Sequence, residues 1–328
     1  MTQPTTLTDM LDLLRTPSAI TRSRLRIFSD LRDRDYTPFW THWMHIPAEG
    51  RTRIITLMNE ISEDNLELNF RMVMSWALND PIAEIRQRAV DGLSEEEHPR
   101  IIEPLLACLS NDTSMAVRSQ AAIALAKFTA LVGFGELRGA SADTLVTTLR
   151  HLLDTHRDTP DVYRRILEAL GSVADDQINA AIQQAWQSTD TTLRESALVA
   201  MGRSADEQWL PTVRSALRHN HAAIRFEAAN ACAEYGDTAA PFVPLLIDLA
   251  SEDDNEVATA AINALGQIAD ERSIRALTQL SKSRDATKRD AALTALEENA
   301  GSDDIFGGWR PRTNKQNEDS YFYDEDDE

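Results

Sequence analysis

One short unit recurs along this chain and limits what it can fold into: an apolar residue, an arginine, then small or apolar residues three, six and seven positions after the arginine. Val117-Arg118 with Ala121, Ala124 and Leu125 is the clearest copy. Ile85-Arg86, Leu193-Arg194 and Ile224-Arg225 head three more, and Val257-Ala258 and Lys288-Arg289 head two that have drifted at the first pair. Val162-Tyr163, with Ile166, Ala169 and Leu170, is recognised from its neighbours. Positions 86, 118, 163, 194, 225, 258 and 289 are separated by 32, 45, 31, 31, 33 and 31 residues. So regular a spacing marks a repeat array.

Offsets of three and seven share one helical face, so each copy is an amphipathic helix whose inner stripe is mostly alanine. Alanine lets helix axes approach closely. A second apolar-periodic segment precedes most copies, for example Ile101 to Leu109, Trp209 to Leu217 and Ile274 to Leu280. Each unit is therefore a helical hairpin that must stack on its neighbours to bury both faces. The expected fold is all-α, a right-handed superhelical solenoid of about eight hairpins over residues 37–300, with an N-terminal helical cap at 1–36 and an acidic tail at 301–328.

These units resemble HEAT repeats, especially the short bacterial kind also found in phycobilisome lyases. The resemblance implies a ladder between adjacent repeats, built from an acidic residue before each second helix and an arginine at its start. Asp80 with Arg86 and Asp112 with Arg118 match the six-residue separation, while Arg194 and Arg225 lack an acid at that place. Pro104, Pro211, Pro241 and Pro244 match another family habit, prolines that kink the first helix. The likeness is specific for fold and weak for function.

Charge narrows the class of partner. A formal net charge of -20 disfavours general affinity for nucleic acid or anionic membrane. Cys108 and Cys232 sit in apolar stripes and are expected as buried reduced thiols, consistent with a cytoplasmic address. No secretion signal and no apolar run of eighteen residues is read in the sequence.

In chain order, two helices are expected at Leu7 to Leu14 and Ser18 to Leu31, the second rich in arginine. Phe39, Trp40, Trp43 and Met44 form the densest aromatic cluster, followed by helices at Ile54 to Ile61 and Leu66 to Leu78. The 45-residue step leaves some fourteen extra residues in Ala130 to Ala142, an extended helix and loop projecting from one edge, with Phe134 and Leu137 available to pack or to touch a partner. Gly202 is suited to a helix stop. The tail carries nine acidic and three basic residues, together with Trp309 and Tyr321-Phe322-Tyr323. It is expected to be disordered.

No catalytic constellation is visible, and no cofactor or metal is expected. His42 and His45 lie three apart without a third ligand in sequence, and no histidine is followed by glutamate, as the ligand pairs of HEAT-like deoxyhypusine hydroxylases require. The leading expectation is a non-catalytic scaffold for a protein partner of unknown identity, in an unknown oligomeric state. Candidate contacts are Trp40, Trp43, Phe134, Leu137, Trp309, Tyr321, Phe322 and Tyr323. The alternative is a bilin-lyase-like protein or lyase subunit, which visible absorbance would reveal. A HEAT-like DNA glycosylase is disfavoured by the charge.

Overall fold

The computed structural model describes residues 6–65 and 67–305, and the helices recur with the period of the sequence. They are α1 (Leu7–Leu13), α2 (Arg22–Leu25), α3 (Tyr36–Trp43), α4 (Ala48–Asp64), α5 (Arg71–Ala77) and α6 (Ala83–Gly92). Next come α7 (Ile102–Asn111), α8 (Met115–Gly133), α9 (Ala140–Thr155), α10 (Pro160–Leu170), α11 (Asp176–Trp186) and α12 (Thr191–Ser204). The array closes with α13 (Leu210–Ala216), α14 (Ala222–Tyr235), α15 (Val243–Ala250), α16 (Asn255–Ile268), α17 (Glu271–Leu280) and α18 (Ala286–Ile305). Within each hairpin the first helix packs on the second, as α7 does on α8 and α17 on α18. The second helices then stack in series, α4 on α6, α6 on α8 and so on to α18. This is an all-α solenoid.

The alanine stripe explains how the second helices stack. Ala89, Ala121, Ala124, Ala197, Ala200, Ala228, Ala231, Ala261 and Ala264 are all buried. Their short side chains bring neighbouring backbones together, and glycine tightens the contact further. A Cβ built on Gly202 would lie 2.9 Å from Ala231 Cα, and one on Gly171 would lie 2.7 Å from Ala200 O. Gly202 is therefore a packing glycine inside α12, not the stop expected from sequence. The stop is Ala205, in left-handed conformation with φ 48°. Ala269 ends α16 in the same way, with φ 51°.

The ends and joints differ from expectation in three places. Ser18 to Leu31 is not one helix but two 3-10 turns flanking the four-residue α2, because Thr21 and Ser29 are extended. Helix α5 begins at Arg71, since Asn65 and Asn69 turn the preceding segment by accepting backbone N–H bonds two residues on. Pro211 and Pro244 occupy first-turn positions of α13 and α15, each preceded by a 3-10 turn. Pro104 lies in the first turn of α7, and Pro241 falls in the 3-10 turn before α15. These prolines mark 3-10-to-α joints where a missing N–H costs little, and do not kink a helix interior.

Both thiols are buried and free, and burial pushes Cys108 up to about 11 and Cys232 up to about 12. Helix α8 is long and apolar enough to cross a membrane by length and composition, the only one so among the described residues. Here it packs against α6, α7 and α10, with Val117, Ala121, Leu125 and Phe128 fully buried.

Candidate functional site

Arg86, Arg194 and Arg225, each at the head of a second helix, point along the array. Arg86 forms a bidentate pair with Asp112 of the following repeat, Nε to Oδ2 at 2.6 Å and Nη2 to Oδ1 at 2.7 Å. Its Nη1 donates to Asp80 O, six residues upstream, at 2.8 Å. So Asp80 gives Arg86 its backbone carbonyl, and the Asp80 carboxylate serves the preceding repeat. There Arg51 donates to Asp80 Oδ2 at 2.8 Å and to Oδ1 at 3.2 Å, while Trp43 Nε1 donates to Oδ2 at 2.9 Å. The acid-to-arginine separation of six seen in sequence is a spacing within a repeat; the ion pair itself joins one repeat to the next. Burial opposes ionisation of Asp112, but the Arg86 guanidinium and the Ser114 N–H together hold its carboxyl below the usual value.

Arg51 escaped the sequence reading although its pattern is present. Ile54, Leu57 and Met58 follow it at offsets three, six and seven, but Gly50 stands where the apolar residue belongs. Later rungs are substituted. Arg194 Nη2 lies 3.2 Å from His219 Nε2, with its guanidinium stacked 4.6 Å over Trp186. Arg225 donates to His219 O at 2.8 Å and to Glu252 Oε2 at 2.7 Å. Asp190 caps α12 through Thr192 N and takes no rung. His219 and Glu252 thus stand where Asp112 stands earlier.

At the centre of the array the ladder is interrupted. Arg118 is buried and donates Nε to Leu109 O at 2.8 Å; among the described residues it meets no carboxylate and its Nη2 has no hydrogen-bond partner. In the next repeat Tyr163 replaces the arginine, and Ser188 replaces the acid that would meet it. A cleft of about 490 Å³ lies here between the starts of α10 and α12, lined by Arg157, Tyr163, Arg164, Gln184, Ser188 and Leu193. Continuity across the insertion comes instead from the extra length of α8. Thr129 Oγ1 lies 2.5 Å from Ala169 O, and the backbone at Gly133 closes on Ser172.

The insertion itself is a braced loop. Phe134 ends α8, Gly135 turns with φ 75°, and Glu136 N and Gly135 N donate to Leu131 O and Val132 O at 2.8 and 2.9 Å. This pattern is a Schellman cap. Leu137 packs inward against the core, and Arg138 Nε donates to Gly135 O at 2.7 Å. Phe134, by contrast, is 79% exposed.

The other sequence candidates divide by burial. Trp43 is fully buried, stacked on Phe39 with centroids 5.2 Å apart. Its role is in the core and not at a partner surface, because its ring fills the first hairpin and its N–H serves Asp80. Trp40 is half-buried under Tyr36. Trp309, Tyr321, Phe322 and Tyr323 lie outside the described residues. His42 Nδ1 is 2.8 Å from Asp12 Oδ1, a carboxylate thirty residues upstream, and that contact lowers the Asp12 pKa. Among the described residues no three His, Cys, Asp or Glu side chains converge as a metal site.

The family model for HEAT repeats matches residues 72–146, 178–243 and 210–297, more than half of the chain. This chain is a HEAT-repeat protein. No curated protein matches its sequence. Its fold is similar to that of several solved structures. One is the complex of CpcE and CpcF of phycocyanin lyase from Nostoc sp. PCC7120, at 15% identity over 70% of this chain and 94% of that one, TM-score 0.47. Another is human deoxyhypusine hydroxylase in complex with glycerol, at 15% identity over 78% and 91%, TM-score 0.36. A third, from the Kap95p–RanGDP structure, is 14% identical over 92% of this HEAT chain, which spans about half of it (47%), TM-score 0.48. At such identities and scores these likenesses carry no functional statement.

Proposed function

We propose that this HEAT-repeat protein is a non-catalytic scaffold that holds a protein partner at the central junction of its array, with Phe134 as the apolar anchor. The observation that carries this is the contrast within one loop. Backbone hydrogen bonds, a left-handed glycine and an inward leucine fix the loop, while the largest side chain on it stands in solvent. A rigid, exposed aromatic loses little conformational freedom on binding and supplies a large apolar area, which is how interface anchors gain most of their energy.

A photo-crosslinking residue placed at position 134 and expressed in the native cell tests this. Adducts with one defined protein, suppressed by unlabelled wild-type competitor and not by competitor carrying Phe134→Asp, support the reading. Because Phe134 is exposed, Phe134→Ala is expected to leave Tm unchanged while weakening partner capture by about 2 kcal/mol, the order of an interface anchor. An unchanged affinity for that partner removes Phe134 from the interface.

A further inference from the structure

The face of α3 at the start of the array has no partner within the described residues. Tyr36, Trp40 and Met44 follow one another at intervals of four and make one stripe. Tyr36 is 38% exposed and Met44 41%. The ring of Tyr36 stacks on Trp40 at 6.0 Å and meets Trp76 edge-on at 5.6 Å, so the stripe is held rigid from beneath. The adjoining face of α3 is already used by Phe39 and Trp43 in the core, and the far side carries His42 on Asp12.

Charge beside this stripe runs against the rest of the molecule. Residues 15–35 hold six arginines against Asp30, Asp33 and Asp35, in a protein of net charge -20. Arg15 and Arg22 are engaged by Asp12 and Asp64, and Arg24 donates to Ala19 O. Arg26 and Arg32 are exposed and form no ion pair among the described residues, and Arg34 only approaches Asp35 at 4.0 Å. A basic segment that leads directly into an aromatic stripe calls for a ligand that is acidic and aromatic together. Residues 318–328, E-D-S-Y-F-Y-D-E-D-D-E, have that chemistry: three successive aromatics, seven carboxylates and no basic residue.

We infer that residues 318–328 of a second copy of this chain dock on the α3 stripe, the aromatics on Tyr36, Trp40 and Met44 and the carboxylates on Arg26, Arg32 and Arg34. Reach favours the segment of another copy over the chain's own. From α4 to α18 the second helices make seven successive packing steps, each roughly 8–10 Å, or about 60 Å in all. Seventeen residues join Ile305 to Phe322, which spans about 60 Å only when fully stretched. A second copy meets the stripe without that extension. The contact is head-to-tail, so it propagates into chains or rings of molecules.

Sedimentation equilibrium of the full chain, at low and high salt, tests this. Concentration-dependent association is expected, weakened at least about tenfold by high salt, by Arg26→Glu with Arg32→Glu, and by Tyr321→Ser with Phe322→Ser and Tyr323→Ser. Arg26 and Arg32 are exposed and the three aromatics lie outside the described residues, and unchanged circular dichroism checks that each variant folds. A labelled peptide of residues 317–328 is expected to bind the triple-serine full chain and not the same chain carrying both charge reversals. A chain that stays monomeric at all concentrations overturns the inference, as does association that survives the triple-serine change. A monomeric full chain that excludes the peptide until its own segment is changed to serine shows docking within one molecule and also overturns it.

Discussion

His219 is the residue most at odds with its position. Donors face both ring nitrogens, Arg194 Nη2 at Nε2 and the His221 backbone N–H at Nδ1, at 3.2 and 3.1 Å. A neutral imidazole accepts at one nitrogen only, and imidazolium at neither. Asp80 and Asp112 meet the same demand with two oxygens, each taking an arginine and the N–H two residues on. His219→Asp is therefore expected to stabilise the protein by about 1 kcal/mol, read from denaturant midpoints. Burial, with the charges of Arg194, His221 and Arg225, lowers the His219 pKa below its ordinary 6.5. The unfolded chain then takes the proton first, so the stability is complete above about pH 6.5 and declines as pH falls through and below it. The aspartate variant should lose that part of the decline. Asp80 makes the reverse case. Its carboxylate is fully buried against Arg51 and Trp43, so Asp80→Asn strands a buried guanidinium, and chemical denaturation should show a loss of about 3–5 kcal/mol.

The helix ends and contacts obey a rule that composition hides. In α12 a glycine and an alanine three residues apart each sit where the other is commonly expected: Gly202 in the helix, Ala205 at its left-handed stop. Gly202→Ala forces a methyl group onto the Ala231 backbone at 2.9 Å, which side-chain movement cannot relieve. It is expected to cost about 1–3 kcal/mol. Ala205→Gly removes the left-handed penalty at an exposed position that loses no burial, and should gain about 1 kcal/mol. Thermal unfolding of the two single variants checks both signs. Gly202 was legible in sequence as a glycine near a helix end. Its role was not, because the alanine it packs on lies 29 positions away.

Across the whole molecule, apolar stacking and net charge pull in opposite directions. The second helices share one continuous buried stripe, so stability accumulates through nearest-neighbour interfaces. A net charge of -20 opposes that packing through long-range repulsion, which salt screens, whereas the buried rungs at Asp80 and Asp112 are screened much less. Raising ionic strength from about 0.01 M to 0.15 M shortens the screening length from about 30 Å to 8 Å, and Tm is expected to rise. A falling Tm would show that exposed ion pairs outweigh the repulsion.

The period, the hairpins and the set of arginines were legible because each is a local property: offsets of three, six and seven recur within two turns of one helix. The insertion was legible as a break in that period, and Phe134 within it. What the sequence could not show is which residue answers each arginine. A rung joins positions 25 to 29 apart, Arg194 to His219 and Arg51 to Asp80 among them, and its register depends on how hairpins of unequal length stack. The burial of Trp43, the cleft at Tyr163 and the open stripe on α3 depend on the same stacking. Periodicity fixes a helix face; only the neighbouring helix decides whether that face is core, rung or surface.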